Sequence, residues 1–174
     1  MAEYKVDSVN SPGAAASELL QKIYEDKIQL PIDVWDIAKK LKIKALKGKF
    51  KDEKNVSGVL YKKEGDSSFT AVINSEEIEV RQRFTLAHEI GHYIHKYQDL
   101  PSEQEAGKVE YCNELSSRGT DSEENWANRF AAALLMPVDE INKEWASGKL
   151  YEEIAQDFNV SRAALGNRLD ELGL

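Results

Sequence analysis

His88-Glu89-Ile90-Gly91-His92 has the form H-E-x-x-H, a spacing suited to metal-assisted hydrolysis. Four residues advance an α-helix by about 400°, so two histidines at i and i+4 lie within ~40° of each other and ~6 Å apart along the axis. Both imidazoles can then reach one metal ion at about 2.0–2.1 Å, and Glu89 projects beside them to take a proton from the attacking water. The bland alternative is a helix that carries two surface histidines. The apolar flanks Phe84, Ala87, Ile90 and Ile94 oppose it, because they would half-bury two unsatisfied imidazoles.

A catalytic zinc site needs a third protein ligand and an open position. His95 shares the helix face but stands about 10 Å of rise beyond His88, so it reads as a supporting or structural histidine. It also falls short of the metzincin spacing H-E-x-x-H-x-x-G-x-x-H. Cys112, the one cysteine, is chemically possible. A carboxylate from a second helix is better attested for this motif, and Glu124 in Glu124-Asn125-Trp126-Ala127-Asn128 is the best placed, with Glu123 in reserve. The small residues Gly91, Ala127, Ala131 and Ala132 would let the two helices approach closely. Asn128, one turn beyond Glu124, would then hydrogen-bond a ligating imidazole and fix its orientation. Acids in a first helical turn also serve as caps and dipole partners, here through Thr120-x-x-Glu123 or Asp121-x-x-Glu124, and that alternative stands beside the ligand. Two histidines and a glutamate suit zinc, while manganese or iron would tolerate the same set.

Changes of hydrophobic period give the elements that must position these groups. Helical spacing runs from Ala14 to Leu30, closed by Pro31, and a short helix follows behind Asp33. From Ile43 to Asn74 the pattern is that of strands: Ile43–Ala45, Val56–Tyr61 and Phe69–Ile73, with the last two joined by the turn EGDSS. These predict a small antiparallel sheet. Asn74-x-x-Glu77 has the form of a capping box, so the motif helix is expected from about Ser75 to about Lys96. The polar stretch Gln98 to Ser122 is a long loop or a weak helix within a loop, of a length that is often functional. A further helix is expected from Asp121 to Pro137, and three short helices close the chain, the last capped by Ser161. The expectation is an α+β protein: residues 1–148 as the main domain, and 149–174 as a helix-turn-helix-like segment packed on it.

The 174 residues, 41% hydrophobic and 31% charged, can bury a core without disulfides. Disorder, collagen and coiled coil are excluded. The longest apolar stretch, Phe130 to Met136, is far short of the ~20 residues of a membrane span, and the N-terminus shows no apolar leader segment. With one cysteine, the expectation is a cytoplasmic protein. A net charge of -8 argues against a protein that coats nucleic acid. The charge is uneven, since ten lysines stand against two acids between Lys39 and Lys63. Such a run is either a solvated face of edge strands, where lysine discourages aggregation, or a docking surface for an acidic partner.

Two blocks carry a resemblance: Arg81-Gln82-Arg83-Phe84-Thr85-Leu86-Ala87-His88-Glu89-Ile90-Gly91-His92-Tyr93-Ile94-His95, and Glu124-x-x-Ala127-Asn128-Arg129-Phe130-Ala131-Ala132-Ala133-Leu134-Leu135-Met136-Pro137. Together they resemble the ImmA/IrrE family of metallopeptidases, with looser similarity at Leu30–Ala38 and Ile154–Ser161. The resemblance implies a gluzincin-like core and a zinc-dependent intracellular peptidase. It further implies that the enzyme relieves repression by cutting a helix-turn-helix transcriptional repressor, often on mobile elements or in stress responses. By position it gives His88, His92 and Glu124 as ligands and Glu89 as base. The oxyanion donor is open, with Tyr93, Tyr97, Tyr111 and Arg83 as weak candidates.

In the tail, Leu150 to Leu174 has the sequence form of a helix-turn-helix, which would turn Arg162, Asn167 and Arg168 toward bases. Five acids against two arginines in that segment oppose DNA contact. Packing, including packing against a repressor, is the expected role. The alternatives to a peptidase are a non-catalytic repressor-binding regulator, a regulator acting on DNA itself, and a toxin-antitoxin component. No membrane partner is expected, and the oligomeric state is open.

Overall fold

The computed structural model describes residues 4–7, 10–25, 27–51, 55–100, 109–113 and 122–174. Helix α1 spans Pro12–Tyr24, with Pro12 in its first turn and the Ser11 side chain accepting from the Ala14 N–H. It stops short of the expected Leu30. Glu25 turns into the left-handed region at φ 53°, and the chain then leads to Pro31, whose ring disfavours helix at Leu30. Helix α2, Val34–Lys40, begins where Asp33 accepts from the N–H groups of Trp35 and Asp36 at 3.0 and 3.1 Å, a capping arrangement that satisfies otherwise orphaned donors.

Strands β1 (Lys44–Gly48), β2 (Val56–Tyr61), β3 (Thr70–Asn74) and β4 (Val109–Asn113) form one sheet in the order β1-β3-β2-β4. The pairs β2–β3 and β2–β4 are antiparallel, but β1 lies parallel to β3, in register Lys44 to Thr70. The sheet is therefore mixed, which corrects the expectation of a wholly antiparallel one. A loop over 62–69, with a turn in which the Asp66 N–H donates to the Lys63 carbonyl, makes β2 and β3 a hairpin, and β1 reaches the far side of β3 rather than its sequence neighbour β2.

Helix α3 spans Glu79–His92 and continues as a π-type turn over Tyr93–Tyr97, where the Gln98 N–H reaches back to the Tyr93 carbonyl. It starts later than Asn74-x-x-Glu77 suggested. Asn74 ends β3, where its Oδ1 accepts from the Glu76 N–H and its Nδ2 donates to the Val56 carbonyl, an Asx turn in place of a helix cap. The polar stretch after α3 contains β4, so Cys112 sits in a strand opposite Gly58. The remainder of that stretch, 101–108 and 114–121, lies outside the described residues, as do the candidate caps Thr120 and Asp121.

Helices α4 (Ser122–Leu135), α5 (Val138–Ala146), α6 (Tyr151–Phe158) and α7 (Arg162–Leu172) complete the chain. Asn159, left-handed at φ 50°, makes the turn between α6 and α7, and Ser161 Oγ caps α7 by accepting from the Ala164 N–H at 3.1 Å. Phe158, Val160, Leu165 and Leu169 join the same buried cluster as Leu19, Leu86, Ile90 and Phe130. The buried Arg83 reinforces this contact by donating to the carbonyls of Ile32 and Asn159. No helix of the described residues is long and apolar enough to cross a membrane.

Candidate metal centre

Two packed helices build the site. His88, Glu89 and His92 of α3 are 0%, 0% and 2% exposed, because both sides of this helix are covered, by the sheet and by α4. The close approach of α4 depends on Gly91. A Cβ there would lie 3.1 Å from Phe130 Cδ1 and 3.2 Å from Ala127 Cα, so the missing side chain lets the α4 backbone come near enough for Glu124 to meet the imidazoles.

His88 Nε2 and His92 Nε2 lie 2.9 Å apart. Glu124 reaches them with separate oxygens, Oε2 at 3.3 Å from His88 and Oε1 at 3.0 Å from His92. Ligands held about 2.05 Å from a tetrahedral zinc ion are about 3.3 Å from one another, so these separations suit three corners of such a site. Asn128 Oδ1 accepts from His88 Nδ1 at 2.9 Å. With that nitrogen carrying the proton, His88 Nε2 offers a lone pair at the point where His92 Nε2 and the carboxylate also converge. The buried His92 Nδ1 has no hydrogen-bond partner among the described residues. Two nitrogen lone pairs crowded on a carboxylate form a donor set that a divalent cation fits and relieves.

The protonation states agree with that fit. Burial pushes the His88 imidazole below its ordinary value, against the opposing pull of Glu124. Burial alone would raise the Glu124 carboxyl, but hydrogen bonds and charge from His88 and His92 outweigh it and hold the group well below the usual carboxylate range. Both groups are thus in the forms that bind metal.

Other candidates lie elsewhere. Glu123 pairs with Lys96 at 2.6 Å. His95 stacks on Trp126 with ring centroids 4.4 Å apart, and Trp126 stacks in turn on Phe130. His95 therefore braces α4, and it is not one of the three clustered donors. Sequence reasoning missed this stack, although aromatics four residues apart in α4 are a visible sign of one. Tyr93 and Tyr97 pack on Phe69, and Arg83 is committed to carbonyls, so none of these is placed as an oxyanion donor. Of the tail residues considered for DNA, Arg168 is buried and bonded to the Met136 carbonyl and Glu171, and Arg162 pairs with Glu152. A groove of about 1060 Å³ between α3, α4 and α7 reaches Asn128, but none of the three clustered donors lines it.

A mixed sheet over a buried H-E-x-x-H helix, with a carboxylate supplied by a second helix, defines the class of H-E-x-x-H metallopeptidase folds. The family model of the IrrE N-terminal-like domain, Peptidase M78, matches residues 38–170, and the chain belongs to that family. No curated protein matches it.

Proposed function

We propose that the protein is a zinc-dependent endopeptidase, with His88, His92 and Glu124 as the metal ligands and Glu89 as general base. The observation that carries this is the triangle of His88 Nε2, His92 Nε2 and the Glu124 carboxylate, with edges of 2.9, 3.0 and 3.3 Å, fixed from outside by Asn128. Zinc, when bound, supplies Lewis-acid polarisation and makes water a nucleophile near neutral pH. Manganese would serve at the same ligands. Glu89 takes the proton of the water that attacks the peptide carbon and passes it to the leaving amine nitrogen as the C–N bond breaks. Asn128 holds the His88 ring in one tautomer throughout.

The substrate that best fits is a helix-turn-helix transcriptional repressor, cut to relieve repression in the cytoplasm. Membership of the M78 peptidase family supports a protease role, and the choice of this substrate rests on the resemblance of the two sequence blocks alone. A repressor-binding regulator without catalysis is the alternative, and one set of variants separates the two. Zinc stoichiometry is measured for wild type, His92→Ala, Glu124→Ala and Glu89→Gln, with cleavage of a candidate repressor followed in parallel. The expected result is one tight zinc, lost in the first two variants and kept in Glu89→Gln, where cleavage falls by about 10²–10⁴-fold. Zinc binding that survives without Glu124 would remove the third ligand. Regulation that survives in Glu89→Gln would favour the non-catalytic regulator.

A further inference from the structure

Two lysines of the lysine-rich run, Lys44 and Lys47, lie on β1 at one edge of the sheet, and Lys39 and Lys42 come just before that strand. In the parallel pair of β1 with β3, the Lys44 N–H donates to the Phe69 carbonyl and the Gly48 carbonyl accepts from the Ser75 N–H, both at 2.8 Å. Lys44, Leu46 and Gly48 therefore turn their backbone groups toward β3, and by alternation Ala45 and Lys47 turn theirs outward. Neither finds a backbone partner among the described residues. Leu46 is 41% exposed on this edge. Lys39, Lys42, Lys44 and Lys47 make no ion pair among the described residues, whereas Lys40 and Lys49 are paired with Asp36 and Glu76. Next to the strand is a socket of about 460 Å³ lined by Trp35, Lys39, Lys42, Ile43, Lys44 and Ala45.

We propose that β1 is a docking edge for an extended acidic segment of a partner protein, which adds a strand beside Ala45 and Lys47 and sets carboxylates against these four lysines. The outward backbone groups recur with the two-residue period of a β-strand, which a peptide main chain matches and a phosphate backbone does not. The Lys47 ammonium sits over one face of the Trp35 ring at 5.2 Å, where a stacking nucleobase would have to displace it. The same lysines repel a second copy of β1, so the charges that bar self-pairing select a strand of opposite sign. This surface stands independently of the peptidase chemistry.

The test uses the full chain and a synthetic ten-residue peptide alternating glutamate with valine. Its controls are the same peptide with glutamine for glutamate, and a single-stranded oligonucleotide of equal charge. The glutamate peptide is expected to bind with an affinity that falls as salt rises, and to shift the amide resonances of Ala45 and Lys47 and protect them from exchange. Glutamine in the peptide, or Lys44→Glu with Lys47→Glu in the protein, is expected to weaken binding by about tenfold. Three results overturn the proposal: no binding, binding that leaves the Ala45 and Lys47 amides unmoved, or tighter binding of the oligonucleotide. The amide map is made on wild type, so the outcome does not depend on the folding of the variant.

Discussion

Asn128 Oδ1 accepts the Nδ1 proton of His88 across 2.9 Å, so the helix that brings the carboxylate also sets the tautomer of the first imidazole. Losing this bond frees the ring to rotate and lets the proton compete for Nε2. Asn128→Ala is expected to weaken zinc binding by about 10–100-fold with the fold retained. Asn128→Asp, which still accepts from Nδ1, is expected to restore most of the affinity. Titration against a chelator of known affinity measures both.

Gly91 faces Ala127 Cα at 3.2 Å and the Ala127 carbonyl at 3.3 Å from where a Cβ would stand. These neighbours are backbone and cannot rotate aside. Gly91→Ala gains helix propensity of about 1 kcal/mol yet forces α3 and α4 apart, an overpacking cost of about 1–3 kcal/mol. A net loss of stability is expected in denaturant melts of the apoprotein. A larger proportional loss of zinc affinity is also expected, because Glu124 moves away with α4.

Much of this is legible in the residues, for physical reasons that differ from case to case. The i, i+4 histidines follow from helix geometry alone. The four-residue spacing of Glu124 and Asn128 puts both on one helix face but leaves Glu124 open between ligand and cap; in the structure Glu124 meets both imidazoles and Asn128 meets His88. The caps at Asp33 and Ser161 are readable because a side-chain acceptor two or three residues ahead of the N–H it binds is a local feature. Strand direction is not readable. Period-two alternation reports which face is buried and nothing about parallel or antiparallel pairing, so the pattern of β1 carries no sign that it runs parallel to β3. Asn74 misleads because one side chain can cap a helix or close an Asx turn, and the β3 register decides between them. The exposed lysines of β1 are visible as a charge run, but the outward set of Ala45 and Lys47 needs the parallel register.

Removing the metal tests whether it holds the fold or only the chemistry. Around the proposed ligands, Leu86, Ile90, Phe130, Ala131 and Leu134 are fully buried, so α3 and α4 are expected to stay packed without a cation. Chelation is expected to abolish hydrolysis while leaving the far-ultraviolet circular dichroism unchanged. Zinc at about 1,000 times its dissociation constant is expected to add about 4 kcal/mol of stability, read as a rise in melting temperature that saturates at one equivalent. A chain that unfolds on chelation would instead have a structural metal.

Glu171 ties the last helix to the α4 face, accepting from Arg129 at 2.8 Å and from the buried Arg168 at 2.7 Å. Burial would raise its carboxyl, but the two guanidinium groups prevail and hold it below the ordinary value of 4.5. The folded state therefore binds this proton less readily than the unfolded chain, so the contribution to stability is complete above about pH 4.5. It is lost as the pH falls through the lowered value. Because the Arg129 side chain is 62% exposed, solvent screening keeps the contribution to about 1 kcal/mol or less. Glu171→Gln is expected to lower stability at pH 7 by that amount and to flatten the acid limb of the stability curve below pH 4.5. Amide exchange in α7 should rise first, since Arg168 keeps its bond to the Met136 carbonyl but loses the carboxylate that neutralises it. An acid limb of unchanged slope in the variant would move the linkage to another carboxylate.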